Sequence, residues 1–79
     1  MDLVDLTKFI VTNLVKNTDE VEVTINGEKD KVINVKVSEE DIGSVIGRGG
    51  KIANSIRNVV QASAYINNLG KVRVNIDTK

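Results

Sequence analysis

Apolar residues recur along this chain at two spacings, and each spacing indicates a type of secondary structure. Near the N-terminus they are three or four positions apart, at Leu3, Leu6, Ile10 and Leu14. That spacing places them on one side of a helix, so it predicts an amphipathic helix from Leu3 to about Lys16. Asp2 and Asp5 resemble the first and last residues of a capping box, with Asp in place of the usual Glu, which favours a helix start here.

Two segments in which every second residue is apolar follow this helix. They run from Glu20 to Ile25 and from Lys31 to Val37. Alternation is typical of a strand with one buried face. In the second segment that face carries Ile33, Val35 and Val37. Asn26-Gly27 favours a turn because both residues tolerate positive φ, so the two segments predict a hairpin with a loop from Asn26 to Asp30.

The second half of the chain predicts two helices and a last strand. Ser38 offers an N-cap oxygen for a short helix that runs to about Ile46. A longer helix begins near Lys51, and its apolar residues are Ile52, Ile56, Val59 and Ile66, with Ala53, Val60 and Ala64 beside them. It ends within Asn67–Gly70, and alternation from Lys71 to Asp77 predicts a strand. The predicted order is α-β-β-α-α-β, in a single α+β domain of residues 1–79.

Composition argues against several classes of function. The 79 residues include no cysteine and no histidine, which removes disulfides, thiolate metal sites and the most common metal ligand and general base. We therefore expect no metal, no cofactor and no catalysis. No apolar run approaches the roughly 20 residues that span a bilayer, and the acidic start at Asp2 and Asp5 is unlike a basic targeting signal. A cytoplasmic location without membrane insertion is expected.

Equal numbers of acidic and basic side chains, 11 of each, hide an uneven distribution of charge. Residues 1–30 carry three basic and seven acidic side chains, whereas residues 31–79 carry eight basic and four acidic ones. No acidic residue occurs from Ile42 to Ile76, and the cations of that stretch are Arg48, Lys51, Arg57, Lys71 and Arg73. Such a stretch can carry a positive potential that the total charge conceals, so we expect an anionic partner to bind there.

Four residues, Gly47-Arg48-Gly49-Gly50, join the two predicted helices of the second half. Glycine has no Cβ, so this loop can adopt positive φ and let a sugar-phosphate backbone approach its amides closely. The N-terminus of the next helix adds unpaired N–H groups and a partial positive charge, and Arg48 and Lys51 add cations. By itself, however, G-x-x-G is a weak signal that also fits a plain turn between helices.

The context of the loop makes the signal more specific. Val45-Ile46-Gly47-Arg48-Gly49-Gly50 resembles the V-I-G-x-x-G signature of KH domains, and the order of elements resembles their type II arrangement. With the segments Asp19–Val23 and Gly50–Arg57, the chain is similar over essentially its whole length to the small stand-alone bacterial KH proteins of the KhpA group. The resemblance implies a three-stranded sheet packed on one side by helices. One departure from the commoner KH pattern is Ala53, where many KH domains have a larger aliphatic residue.

The same resemblance implies partners and roles. It implies binding of single-stranded RNA, self-association as a homodimer, and pairing with a larger KH protein of the KhpB kind. It also implies a role in post-transcriptional regulation, RNA chaperoning, or cell division and envelope growth. Two or three phosphate contacts by one copy would give weak binding, which a dimer would strengthen by avidity. The dimer surface is expected at the longer helix near Ser55, Val59 and Ser63 or at the loop.

Seven residues are expected to bind RNA. They are Ile46, Gly47, Arg48, Gly49, Gly50, Lys51 and Arg57. Arg57 lies six residues after Lys51, so it either extends the cationic track to another phosphate or lies in solvent. Ile46 offers aliphatic surface to a base, whereas Ile52 is expected in the core.

Other polar residues and the aromatic residues are weaker candidates. Asn34 and Lys36 point away from the core face of their strand, so they contact RNA only if that strand borders the loop. Lys71 and Arg73 are expected to be exposed charges at a sheet edge that discourage strand pairing. Stacking on aromatic rings is not expected, because the two aromatic side chains are distant from the loop in sequence. They are Phe9 and Tyr65.

Two other functions compete with RNA binding. The first is a protein-interaction module whose loop is vestigial, which zero net charge favours and which Arg48 and the stretch without acids disfavour. The second is an enzyme that holds a phosphate at a helix N-terminus. The chain has no G-x-x-x-x-G-K-[ST] pattern, no histidine and no pair of acids near the loop, so this second function is disfavoured.

Overall fold

The computed structural model describes residues 2–79 and has the predicted order of elements. The helices and strands are α1 (Leu3–Thr12), β1 (Glu22–Asn26), β2 (Lys31–Val37), α2 (Ile42–Ile46), α3 (Lys51–Ile66) and β3 (Val72–Thr78). Short 3₁₀ turns lie at Thr18–Glu20 and Arg48–Gly50. The α+β class and the order α-β-β-α-α-β are therefore confirmed.

The three strands form one sheet in the order β1-β2-β3. β1 and β2 are antiparallel, as expected for a hairpin, with Val23 opposite Val35. β2 and β3 are parallel, with Ile33 opposite Val74, because α2 and α3 carry the chain back to the starting end of the sheet before β3 begins. The loop between α2 and α3 therefore lies at the opposite end of the sheet from the hairpin loop at 27–30.

One face of the sheet is buried and the other is polar. The inward residues of β2 are buried as predicted, and on this side of the sheet α1 packs against β1 and α3 against β3. The core consists of Leu3, Val11, Val21, Ile33, Val35, Val37, Val45, Ala53, Ile56, Val60, Ala64, Val72 and Val74. On the open face Lys36 lies between Glu22 of β1 and Asp77 of β3. No helix within residues 2–79 is both long enough and apolar enough to cross a membrane.

The first helix is shorter than predicted. Asp2 caps it, accepting a 2.8 Å hydrogen bond from the backbone N–H of Asp5, but the helix ends at Thr12 instead of about Lys16. The side-chain amide of Asn13 donates a 2.6 Å hydrogen bond to the Phe9 carbonyl, and the helix does not continue for a further turn. The backbone N–H of Lys16 donates to the Asp41 carboxylate, so it is not available to a helix.

Asp41 fixes the segment after α1 to the turn before α2. Only 2% of it is exposed, and its carboxylate accepts hydrogen bonds from the backbone N–H groups of Lys16 and Asn17, both at 3.0 Å. The Asn17 amide and the Ser38 hydroxyl donate to it as well. The Lys16 N–H is the main reason that the pKa of Asp41 falls from 3.8 to about 2, with burial opposing the shift and Asn17 and Ser38 adding to it.

The start of α2 also differs from the prediction, because of the hydrogen bonds to Asp41. Ser38 was expected to cap this helix, but it lies in a turn, and the helix begins at Ile42 after Asp41. The Ser38 hydroxyl donates to the Asp41 carboxylate at 2.9 Å, so it does not cap a helix end. The predicted cap was wrong because Asp41 is held by residues that are 24 and 25 positions away in the sequence.

Fewer apolar residues of α3 are buried than the sequence predicted. The helix buries Ala53, Ile56, Val60 and Ala64. Ile52, Val59 and Ile66 were grouped with them but remain 36%, 48% and 76% exposed. The interpretation of Ile52 as a core residue was therefore wrong. α3 has two apolar sides, and the fold covers one of them.

Candidate nucleic-acid interface

The loop between α2 and α3 depends on its glycines. Gly47 ends α2 with φ 76° and ψ 171°, and its N–H donates to the Gly43 carbonyl at 2.9 Å. Gly49 (φ 66°) and Gly50 (φ 78°) have left-handed backbone conformations, which L-residues with a Cβ adopt at a cost. The Gly50 N–H bonds the Gly47 carbonyl at 3.1 Å and closes the turn. The loop is therefore a tight, ordered turn.

Ile52 packs directly over Gly47. A Cβ placed on Gly47 would lie 2.6 Å from Ile52 Cγ1 and 2.9 Å from Ile52 Cβ, which is closer than real Cβ atoms come. Gly49 and Gly50 have no such neighbour within 4 Å. Gly47 is thus required by packing as well as by backbone conformation, whereas the other two glycines leave open space on the outer side of the loop.

The start of α3 is open to an anion. Gly50 is the N-cap and has no side chain to bond the first N–H groups of the helix; the Lys51 N–H bonds the Arg48 carbonyl, and the N–H groups that follow have no side-chain cap. Arg48 and Lys51 are exposed, and neither forms an ion pair within residues 2–79. Two cations and a helix N-terminus therefore surround the same space, an arrangement that favours a phosphate group.

Aliphatic side chains lie on both sides of the loop. Ile46, the last residue of α2, is 37% exposed, and Ile52 is exposed to a similar extent. Half-exposed aliphatic surface beside a phosphate site suits the face of a nucleotide base. The structure thus places Ile46 together with the loop residues and Lys51, and their binding of RNA stays a prediction.

Arg57 lies farther along α3 and is held against the edge of the sheet. Its Nε donates to the Val74 carbonyl of β3 at 3.2 Å, and its Nη1 donates to the Asn54 amide oxygen at 3.1 Å. The side chain is therefore bound to the protein although it is exposed, and its contact with a second phosphate stays a prediction. Arg57 also lines a shallow groove between α3 and β3.

A second side chain of α3 reaches the same edge of β3. The Gln61 amide oxygen accepts from the Val72 N–H at 3.0 Å, and its amide nitrogen donates to the Gly70 carbonyl at 3.3 Å. Arg57 and Gln61 thus bond two backbone groups of an edge strand that would otherwise be open to another strand. A shallow depression of about 420 Å³ runs between the two elements, lined by Arg57, Asn58, Gln61, Val72, Arg73, Val74 and Asn75.

Asn34 and Lys36 lie on the central strand, and the strand beside α3 is β3. They therefore do not border the loop directly. They share a depression of about 350 Å³ with Arg57, Asn75 and Asp77, which wraps around β3. Lys71 and Arg73 are exposed, as predicted for charges near a sheet edge.

Sequence reasoning missed Gln61 and Asp41. Gln61 gives no local signal, because its partner is an edge strand that α3 meets only in the folded chain. Asp41 lies inside the segment that the sequence assigned to the short helix from Ser38 to about Ile46, so its role as a buried hydrogen-bond acceptor was not predicted.

Comparison with known families gives one match that covers nearly the whole chain. The family model described as KhpA/KhpB, KH domain, matches residues 4–76. RNA-binding protein KhpA of Borreliella burgdorferi is 44% identical over 62 residues, which are 77% of this chain and 76% of that protein. RNA-binding protein KhpA of Caldanaerobacter subterraneus is 48% identical over 61 residues, which are 76% of this chain and 81% of that protein.

Two crystal structures share the fold at low sequence identity. A variant of Era from Aquifex aeolicus, bound to GDP.AlF4-, superposes with a TM-score of 0.73 at 15% identity. Era in complex with MgGDPNP and nucleotides 1506–1542 of 16S ribosomal RNA superposes with a TM-score of 0.68 at 17% identity. Each match covers 98% of this chain but only 30% of the Era chain, so it concerns one part of a longer protein.

Proposed function

This chain belongs to the KhpA/KhpB KH-domain family, and from that premise we propose that it binds single-stranded RNA through the loop Gly47–Gly50 and catalyses no reaction. The observation that carries this proposal is the grouping of Arg48 and Lys51, without carboxylate partners in residues 2–79, at the uncapped N-terminus of α3. One RNA phosphate would bind there, between the loop amides and the two cations.

The groove between α3 and β3 would receive the bases that follow this phosphate. Ile46 gives aliphatic contact at one end, and Arg57 offers N–H donors farther along. Arg57 is fixed by Val74 and Asn54, so it can meet a base or phosphate without first losing the freedom of a long side chain. Only two or three cations reach this path, and we propose weak binding by a single copy.

A homodimer is part of the proposal, and the exposed side of α3 supports it. The residues on this side are Ile52, Ser55, Val59, Ala62 and Ile66, and all of them are exposed. Their spacing of three and four residues is that of a coiled-coil seam. Large and small residues alternate, so the side chains of two copies can interlock and the helices can approach closely. We name this surface the α3 seam.

The α3 seam is symmetric about its centre, which favours a second copy as its occupant. Ile52 lies seven residues before Val59 and Ile66 lies seven residues after it. In an antiparallel pair with Val59 at the two-fold axis, each Ile52 lies opposite the partner's Ile66. A parallel pair would instead place two positive loops and two helix N-termini side by side, which charge repulsion disfavours.

A larger KH protein of the KhpB kind is the second partner that we propose. The matching family model spans KhpA and KhpB domains, so a related domain could present a similar helix to the same α3 seam. Pairing with either partner would bring two RNA sites together and raise the affinity for a longer strand. We propose post-transcriptional regulation, RNA chaperoning or cell division and envelope growth as the processes that such complexes serve.

RNA binding is tested by titrating pools of short fluorescent single-stranded RNA with the wild type and with Arg48→Asp plus Gly49→Asp. Asp is among the residues that best tolerate a left-handed conformation, and no atom lies within 4 Å of a Cβ at Gly49, so the variant should fold. The matched control is Thr24→Asp plus Lys29→Asp, which makes the same charge change at two exposed positions of the hairpin, away from Gly47–Gly50. Circular dichroism verifies the fold of each protein.

The proposal expects binding by the wild type and the hairpin control and loss of binding by the loop variant. Equal loss in both variants would mean that overall charge, not the loop, attracts RNA. No binding by the wild type at low salt would favour the alternative function, a protein-interaction module with a vestigial loop.

The homodimer is tested separately by sedimentation equilibrium. The wild type is expected to have the mass of a dimer at concentrations of tens of micromolar, and Val59→Asp the mass of a monomer, because the seam would bury two opposed carboxylates. Phe9→Asp is the control, since Phe9 is an exposed apolar residue on α1. Retention of the dimer by Val59→Asp would exclude the α3 seam.

A further inference from the structure

Tyr65 is the one tyrosine of the chain, and its side chain is largely unused by the fold. It lies near the C-terminal end of α3 and is 80% exposed, the highest exposure among the large apolar and aromatic residues of the described chain. An open depression of about 520 Å³ lies beside it, lined by Tyr65, Ile66, Asn68 and Gly70. An aromatic ring next to an open depression can accept the face of a flat ligand.

Within one copy this ring is far from the loop. Tyr65 is fourteen residues after Lys51 on the same helix, and at 1.5 Å per residue the separation is about 21 Å along the axis. A nucleotide held at the start of α3 therefore does not reach the Tyr65 ring of its own chain.

The proposed dimer changes this separation. Lys51, Asn58 and Tyr65 are seven residues apart, so they lie along one flank of the α3 seam. A two-fold axis perpendicular to the helices keeps that flank on the same side in both copies and reverses the direction of the helix. With the axis at Val59, the partner's Tyr65 comes beside Lys51, at the loop of the first copy.

We infer that the RNA site is shared between two copies, and that the partner's Tyr65 stacks on a base of the strand whose phosphate is bound at Gly47–Gly50. This inference rests on the proposed RNA binding and on the proposed dimer. It supplies the aromatic surface that one copy lacks at its loop. Base stacking on an aromatic side chain is tolerant of sequence, so the partner's Tyr65 adds affinity with little base preference.

Removal of the Tyr65 ring tests how much the ring contributes to RNA affinity. Tyr65→Leu keeps apolar bulk at the flank of the seam and removes the aromatic face, and Tyr65→Phe keeps that face. Tyr65→Leu is expected to remain a dimer in sedimentation and to lose RNA affinity about 5- to 150-fold, which is the range for one stacked base. Tyr65→Phe is expected to bind as the wild type does. Unchanged affinity in Tyr65→Leu dimers overturns the inference.

Mixing two defective chains tests whether the ring acts across the dimer. One chain is Tyr65→Leu with an intact loop, and the other is Arg48→Asp plus Gly49→Asp with Tyr65 intact. They are unfolded and refolded together to form mixed dimers. In these dimers the intact loop of the first chain meets Tyr65 of the second, so RNA binding is expected to recover above that of either chain alone.

Tyrosine fluorescence gives a direct readout in the same mixture. The protein has no tryptophan, and in the mixture the chain with the intact loop has no tyrosine, so all emission comes from the chain that cannot hold RNA itself. Quenching by RNA, corrected for absorbance with N-acetyltyrosinamide, is therefore expected only if a base stacks across the dimer.

The outcomes separate this inference from the proposed function. If the wild type binds RNA as a dimer but the mixture shows neither recovery nor quenching, the sharing of the site is overturned and RNA binding stands. If the wild type does not bind RNA at all, both are overturned.

Discussion

Gly47→Ala measures how strongly the fold constrains the loop. The backbone conformation of Gly47, with φ 76° and ψ 171°, is essentially restricted to glycine and costs another residue about 1–3 kcal/mol. The new Cβ would also lie 2.6 Å from Ile52 Cγ1, and overpacking of this kind costs about 1–3 kcal/mol. We expect Gly47→Ala to lower the free energy of unfolding by about 4 kcal/mol in total.

The assay is urea denaturation followed by circular dichroism, with thermal unfolding beside it. A loss of this size corresponds to a fall in Tm of about 15–30 °C for a chain of this length. Gly49→Ala is the matched control, because Gly49 is left-handed but has no atom within 4 Å of a Cβ. Its expected cost is backbone strain alone, about 1–2 kcal/mol.

A double variant separates the two causes of the Gly47 effect. Ile52→Ala removes Cγ1 and Cδ1, which would lie 2.6 and 3.0 Å from the new Cβ, and leaves the Cβ at 2.9 Å. In this background Gly47→Ala should cost about 1 kcal/mol less than in the wild type. Equal destabilisation by Gly47→Ala and Gly49→Ala would refute the packing of Ile52 as a constraint on the loop.

Three further predictions follow from the core, the buried carboxylate and the cations. Val60→Ala should cost about 2 kcal/mol in urea denaturation because Val60 is fully buried, whereas Phe9→Ala should change stability by less than about 0.5 kcal/mol. The pKa of Asp41 is lowered to about 2 in the fold, so its charged form stabilises the protein above about pH 4, and this contribution is lost as pH falls to about 2. The Tm of Asp41→Asn should accordingly be below that of the wild type at pH 7 and approach it near pH 2; parallel curves would contradict this. Log affinity for RNA should fall against log salt with a slope of about −1.4 to −2, as for two or three phosphates on a single strand, and a slope near zero would exclude a phosphate-based site.

Helices and strands were predictable where the spacing of apolar residues follows directly from which side chains are buried. Alternation in β2 predicted the buried residues Ile33, Val35 and Val37, because a strand packed on one face buries every second side chain. The loop was predictable because its glycines adopt the positive φ that was expected of them, and its cations follow directly from the sequence. The family resemblance added a three-stranded sheet packed on one side by helices, whereas the order β1-β2-β3 within that sheet was not predicted.

The features that sequence did not predict all depend on contacts between distant residues. Lys16 and Ser38 were assigned to helices by local pattern, but both bond the carboxylate of Asp41 in the folded chain. Ile52 and Val59 have helical spacing like that of Val60, and only the packing of α3 decides which side is buried. The sequence of α3 therefore shows two apolar sides, and only the folded structure shows which side packs in the core and which forms the α3 seam.

The parallel pairing of β2 with β3 has a consequence for the order of folding. Asn34 and Asn75, which are bonded across this pair, are 41 residues apart, whereas the strands of the hairpin are joined by a short loop. Closing the longer segment loses more chain entropy, so we expect the hairpin and α3 to form first and β3 to dock late. Mutations in β3 should then mainly speed unfolding, and mutations in the hairpin should slow folding. The strand that borders the proposed RNA groove would also be the first to detach from the native protein, so the groove would open and close while the rest of the molecule stays folded.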